Sequence, residues 1–502
     1  MSLPLRLLSL ACTLLVLASC GSAAQEPPSQ SSQTPEPPPV SSEVPVQPSP
    51  QMVRVPYDPT DSLNPFTCLT LQNLQLSNLL FDGLATLDPT YQTQLRLAQE
   101  LTQEGAQWVA RLRPDARFAD GSAVTAQDVA YSVQLALGDS RFGAALAGVA
   151  QVQTPDDATL VFVLTQPDQF FDRALTFPVV KQGTGEQPVP VGSGRYTLDP
   201  GGGSLTANPQ AYPPIRNLRR VELVDAGSLE DQGQGVADGT IDLMYSDLRS
   251  DLNLGLGSGH RQVPLSNLLF VGVNPRGPLA DPRMREALSG LLPREELGRK
   301  TQLSFASTAY SPIRPAYGGS AVTGAGPGAD RVAAILDGLG YDTLDEEGCR
   351  TAGGARLTLT LLVNRENRSR VAAAQLIAQA AKGEGVLVTV ERLSYEEYLA
   401  RIAARDYDLY LGELRIPYNL DLEALLAPGA LGPGVEAAPQ LLELYHRVKA
   451  GEAPMAQLDA LIRRETPVMP ILYRRGILCF SRDFSANIVA TERDIFYNIG
   501  DW

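Results

Sequence analysis

Trp108-Val109-Ala110-Arg111-Leu112-Arg113-Pro114-Asp115-Ala116-Arg117-Phe118-Ala119-Asp120-Gly121-Ser122-Ala123-Val124-Thr125-Ala126-Gln127-Asp128-Val129-Ala130-Tyr131-Ser132 is the stretch of this 502-residue chain that decides its fold. Its opening residues alternate apolar and charged side chains, the period of a half-buried strand. Pro114, Asp115, Asp120 and Gly121 then mark turns. Thr125 precedes Asp128 by three residues, ahead of Val129, Val133 and Leu135. That spacing predicts a helix whose first turn is capped by the threonine side chain. The stretch therefore reads as strand, corner and capped helix.

Working outward, residues 159–164 have the composition of a further strand. In the second half, residues 357–363 form a β-rich run, residues 371–382 have helical spacing and residues 386–391 return to alternation. Together they predict a βαβ unit. A helix over residues 395–404 then leads into a short strand over residues 407–411, so the chain is α/β with mixed, partly parallel sheets.

The ends and the bulk composition set the compartment and exclude several functions. Arg6 precedes an apolar run over residues 7–18, the length of a signal-peptide core and too short to span a membrane. The run ends in Leu17-Ala18-Ser19-Cys20-Gly21, which resembles the bacterial lipobox and marks Cys20 for lipidation on the extracytoplasmic face of the cell membrane. Two or three acyl chains, at ~0.8 kcal/mol per buried methylene, would hold the protein where one would not. Residues 21–52 are rich in Pro, Ser and Gln, cannot form a core and read as a disordered tether reaching on the order of 100 Å.

A formal net charge of −15 argues against a nucleic-acid partner. The two histidines, His260 and His446, and the cysteines lack metal-ligand spacing, so neither a metal site nor a cofactor is expected. Cys68, Cys349 and Cys479 read as buried free thiols. Nucleophile-elbow, P-loop and zinc-protease motifs are absent from the sequence. The glycine clusters at residues 255–259 and 324–328 lack the strand and helix of a phosphate cradle and read as loops. Asp156-Asp157 and Glu346-Glu347 read as solvated acids. The chain is not expected to be an enzyme.

The quoted stretch resembles the signature of the family 5 extracellular solute-binding proteins, the peptide and nickel importer group. Leu80-Phe81-Asp82-Gly83-Leu84, Val191-Gly192-Ser193-Gly194-Arg195-Tyr196, Asn208-Pro209-Gln210-Ala211-Tyr212, Gly239-Thr240-Ile241-Asp242-Leu243, Phe270-Val271-Gly272-Val273-Asn274 and Asp281-Pro282-Arg283-Met284-Arg285-Glu286-Ala287-Leu288 are similar in family order. The resemblance implies a two-lobed periplasmic-binding-protein-like fold of type II, in the large three-subdomain class, with two crossover strands placed near residues 268–273 and 470–473. Residues 53–82, 190–267 and 470–502 would form the core of lobe 1, residues 83–189 its extra subdomain and residues 268–469 lobe 2. Gly192 and Gly194 are expected to permit a tight turn.

The function so implied is that of a monomeric binding lipoprotein, which encloses a small peptide or other small polar solute and delivers it to an ABC permease. A binding lipoprotein that signals to a membrane sensor, and an amidase or peptidase on the same scaffold, are the alternatives. Ligand contacts are expected from Asn64, Phe66, Thr67, Tyr310, Asn364, Glu413, Leu414, Arg415, Tyr418 and Asp421. This chain departs from the family with Ala119 for a frequent histidine, Arg195 for a proline, and Gly412-Glu413-Leu414-Arg415 where peptide binders place an aspartate that pairs with the ligand's ammonium. Glu413 or Asp421 could fill that role, Arg415 could instead pair a carboxylate bidentately, and Glu413 with Arg415 could simply form a salt bridge.

Overall fold

In a computed structural model of the protein the described residues are 51–247, 259–301, 306–317, 326–427 and 438–502. Cys20, most of the expected tether, residues 255–258 of the first glycine cluster and residues 324–325 of the second lie outside them. The deciding stretch folds as its pattern dictates. Strand Gln107–Leu112 pairs antiparallel with Ala98–Glu104 and Thr159–Leu164, and Val149–Asp156 completes a four-stranded sheet. Helix Ala126–Leu137 starts with a reciprocal cap, in which Asp128 N–H donates to Thr125 Oγ1 and Thr125 N–H donates to Asp128 Oδ2 at 2.9 Å. Trp108, Phe118, Val129, Val133 and Phe162 share one core between sheet and helix.

A second four-stranded sheet orders Met52–Tyr57, Arg220–Asp225, Ser204–Ala207 and Tyr196–Leu198, with only the first pair parallel. Helix Leu71–Leu80 and the C-terminal Phe496 and Trp502 share its core. Arg195, the residue that replaces the family's proline, is 4% exposed and ties this core to the C-terminus. Its guanidinium lies 2.6 Å from Asp494 and donates to the Phe496 and Asn78 carbonyls. Gly192 and Gly194 are not among the glycines with positive φ, so left-handed backbone is not what requires them. A Cβ on Gly192 would lie 2.1 Å from Leu80 O, and one on Gly194 2.3 Å from Leu80 C. Close backbone approach is what requires glycine here.

The largest sheet has seven strands and lies mostly in the second lobe. Its order is Leu243–Ser246, Val468–Phe480, Gly259–Val273, Leu409–Arg415, Thr358–Asn364 and Leu387–Leu393, with Ala306–Thr308 also on Val468–Phe480. Thr358–Asn364 and Leu387–Leu393 are parallel, and helix Arg368–Gly383 makes the crossover between them. Alternation sends Leu268, Phe270, Tyr410 and Tyr473 to one core and Leu269, Val271, Leu361 and Leu411 to another. Both faces of this sheet are covered, which explains its runs of consecutive apolar residues.

Gly259–Val273 and Val468–Phe480 are the two crossover strands. They run antiparallel to each other and their register shifts between Pro264 and Leu268. Before the shift Val263 and Leu265 belong to the first lobe's core with Leu478; after it Leu268 and Leu269 belong to the second lobe's cores. The passage between lobes thus lies a few residues before the segment 268–273 expected from sequence. That segment is apolar because it is sandwiched within the second lobe's sheet, not because it crosses.

Candidate functional site

A cleft of about 310 Å³ opens where the crossover strands pass between the lobes. Leu265 and Asn267 of the first crossover strand line it, with Leu71 and Gln75 of helix Leu71–Leu80 on one wall and Arg415 and Tyr418 on the other. The C-terminal segment supplies Glu492 and Arg493. These two are aimed by a turn in which Asp494 N–H donates to Thr491 Oγ1 at 3.0 Å. Gln75 and Asn78 hold the turn from the helix, donating to the carbonyls of Glu492 and Arg493 at 3.4 and 2.8 Å.

Charge is distributed unevenly in this cleft. Its lining contains Arg141, Arg173, Arg415 and Arg493 against the carboxylates Asp247 and Glu492, in a chain with a formal net charge of −15. Arg141 lies 2.6 Å from Asp139. Arg415 Nε lies 3.3 Å from Glu492 Oε1, and its Nη2 donates to Tyr418 Oη at 3.3 Å. Burial opposes the Arg415 charge, but Tyr418 and Glu492 outweigh it and hold the proton more tightly than usual. Arg493 stacks 4.4 Å from the Phe142 ring centroid and donates to Thr176 O at 3.1 Å. Burial pushes its pKa down to about 10. Arg173 is 8% exposed, lies 4.9 Å from the Phe170 and Tyr317 rings, and its Nη1 has no hydrogen-bond partner. Burial again lowers its pKa, against Asp172 and Tyr317. Among the described residues neither Arg173 nor Arg493 has a carboxylate partner.

Of the residues expected at the site, Arg415 and Tyr418 line the cleft together. Glu413 sits beside it in a closed network: Oε1 accepts from Asn267 Nδ2 at 2.9 Å and Arg474 Nη1 at 3.3 Å, while Oε2 accepts from Arg370 Nη2 at 3.0 Å. Burial pushes its carboxyl up, yet Arg474 and Arg370 outweigh that and hold it below the ordinary range. The salt-bridge alternative raised for Glu413 and Arg415 takes another form, since Glu413 pairs with Arg370 and Arg474 and Arg415 pairs with Glu492. Phe66 packs edge-on to Phe142, behind the wall. Leu414 packs against a second-lobe core.

The remaining expected residues point elsewhere. Asn64 is fully buried and spends both Nδ2 hydrogens on Gly185 O and Gln187 O. Thr67 pairs with Ser62, Asn364 accepts from Glu366 N–H, and Asp421 accepts from Tyr445 Oη and Glu423 N–H. Tyr310, 4.6 Å below Arg294, lines a different, larger hollow of about 630 Å³ that shares no residue with the cleft. Arg141, Arg173, Glu492 and Arg493 were not expected. The signal available for Arg173 was a cation inside the apolar run Phe170-Phe171-Asp172-Arg173-Ala174-Leu175.

Beside the cleft the lobes also touch directly. Asp168 Oδ2 lies 2.6 Å from Lys449 Nζ, with side chains 13% and 11% exposed. Lys449 Nζ donates to Asn419 O, and Gln169 N–H donates to Lys449 O, each at 2.7 Å. Trp108 Nε1 supports the Asp168 carbonyl at 3.0 Å. Cys68, Cys349 and Cys479 are buried and free. Among the described residues no cluster of metal-ligating side chains and no helix able to cross a membrane is found.

The model of the bacterial extracellular solute-binding proteins, family 5 Middle, matches residues 90–427, well over half of the chain. The chain belongs to that family. Solved structures place this family 5 protein's fold beside several transporter components. A nickel ABC transporter protein from Bacillus halodurans aligns with a TM-score of 0.74 at 18% identity, covering 89% of this chain and 98% of that one. An ABC transporter substrate-binding protein from Sinorhizobium meliloti gives 0.74 at 19%, covering 89% and 99%. A periplasmic murein tripeptide binding protein in its unliganded open form gives 0.71 at 20%, covering 86% and 93%.

Proposed function

We propose that this family 5 protein is an extracellular binding lipoprotein that encloses a small peptide or a polar solute of similar size and delivers it to an ABC import permease. The observation that carries the reading is the cleft of about 310 Å³ walled by both lobes and floored by a crossover strand. That volume lies at the small end of ligand pockets. Arg415 and Tyr418 contact the solute, and hinge motion about the crossover strands closes the second lobe over it. Likeness to a murein tripeptide binding protein and to a nickel transporter protein supports small, polar cargo without choosing between the two. Lobe 1 corresponds to residues 53–82, 190–267 and 470–502 with its extra subdomain at 83–189, and lobe 2 to residues 268–469, except that Ile471, Leu472 and Tyr473 pack in the cores of lobe 2. Lipid on Cys20 anchors the protein at the membrane, and the protein acts as a monomer.

Native mass spectrometry of the full chain purified in mild detergent should detect a co-purifying solute, whose readdition lowers the radius of gyration in solution scattering. A verified solute that binds without changing the radius of gyration contradicts closure. Cys20→Ala should release the protein from membranes or leave it unprocessed, and normal processing with unchanged detergent-dependent retention contradicts the anchor.

A further inference from the structure

The cleft's charge is unfinished in the structure as it stands. An arginine cannot shed its proton at neutral pH, so burying its guanidinium without a counter-ion is costly, and such groups are ordinarily paired. This chain has acids to spare, yet among the described residues none forms an ion pair with Arg173 or Arg493. Elsewhere several buried cations are paired, Arg195 with Asp494, Lys449 with Asp168, and Arg370 and Arg474 with Glu413, while Arg294 and Arg314 are buried one by one against carbonyls, hydroxyls and rings. Arg173 and Arg493 differ from these in lining one cavity, together with Arg141 and Arg415. Of the carboxylates at the cleft, Glu492 already pairs with Arg415 and accepts from Ser266, and Glu413 beside it has both oxygens occupied.

Resting on the binding function proposed above, we infer that the ligand is an anion: a small solute whose carboxylates seat against Arg173 and Arg493, with Arg415 at the rim, and whose ammonium group, if it has one, is not the anchor. Guanidinium groups match carboxylates through paired N–H···O bonds, and the aromatic rings of Phe142, Phe170 and Tyr317 hold two of these forks in position before the ligand arrives. An acidic peptide and a small organic polycarboxylate both present this chemistry.

The test is calorimetric titration of the full chain in mild detergent with triglutamate, citrate, trialanine and trilysine. Binding of triglutamate marks the peptide as the source of the charge, and binding of citrate alone marks an organic acid. Arg173→Met and Arg493→Met should each weaken the anion that binds by about tenfold or more, and Arg493→Lys should recover part of the loss. The inference is overturned if neither anion binds, if trialanine or trilysine binds as tightly as the anions, or if both Met variants, shown by their melting to be folded, stay within about twofold of wild type. Trialanine or trilysine binding with closure in scattering overturns the anion inference alone. A co-purified solute that binds without closure overturns the binding mechanism on which it rests.

Discussion

The face between the lobes has two ends that treat positive charge in opposite ways. At one end Lys449 is buried against Asp168, and hydrogen bonds from Gln169 and Asn419 complete the contact. At the other, Arg173 is buried and Arg493 half-buried against aromatic rings, with no carboxylate partner among the described residues. The Phe170 ring lies between the two regimes, 5.7 Å from Lys449 Nζ and 4.9 Å from the Arg173 guanidinium. One ring therefore borders a charge that is satisfied by the protein and a charge that is left for something else. The first end is built to stay in contact, and the second to be completed by a ligand.

The comparison is broken most directly at the paired end. Lys449→Met leaves Asp168 buried without its cation and should cost about 3–5 kcal/mol of unfolding free energy, while Asp168→Asn combined with Lys449→Met should recover most of it. Chemical denaturation checks this, and a single variant as stable as wild type would show that the contact is not a structural pair. Glu413→Gln should cost about 2–3 kcal/mol by weakening two charge-assisted contacts. Because the Glu413 carboxyl is held below its ordinary range, its stabilising contribution is complete above that range and is lost as the pH falls through its folded value. The gap between wild type and Glu413→Gln should accordingly close in acid, and a gap that is constant with pH would remove the charge from the explanation.

At the unpaired end the sign reverses. Arg493→Met keeps the apolar stem against Phe142 and removes an uncompensated charge, so it should stabilise the ligand-free protein by about 1–2 kcal/mol in the same denaturation assay. Loss of stability there would mean that the stack on Phe142 outweighs the buried charge. Thr125→Ala, remote from both ends, should cost about 1 kcal/mol through the lost cap and leave ligand affinity unchanged. It sharpens the comparison by separating stability from binding.

How much of this was legible depended on the range of the interaction. Strand Thr159–Leu164, the capping box of Thr125 and Asp128, and the βαβ unit around Arg368–Gly383 follow from residues a few positions apart, and periodicity revealed them. Arg415 was legible because it ends a readable strand. In sequence Arg195 is only a departure in a scaffold motif, since its partner Asp494 stands 299 positions away. The burial of Glu413 between Arg370 and Arg474, and the assembly of Arg141, Arg173 and Arg493 around one cavity, are likewise products of topology that no local pattern encodes. The sequence motif marks Gly192 and Gly194 as constrained, but their contact with Leu80, far off in the chain, is visible only in the fold.

The central claim is that the cleft's arginines wait for a negatively charged solute, and melting of wild type beside an Arg173→Met, Arg493→Met double variant tests it most directly. Each is measured alone, with triglutamate and with citrate. The account predicts a crossing: the variant melts above wild type in buffer, and below it once the anion that binds is present, because only wild type gains stability by mass action. A variant that melts below wild type in buffer, or that gains as much from the anion as wild type does, contradicts it.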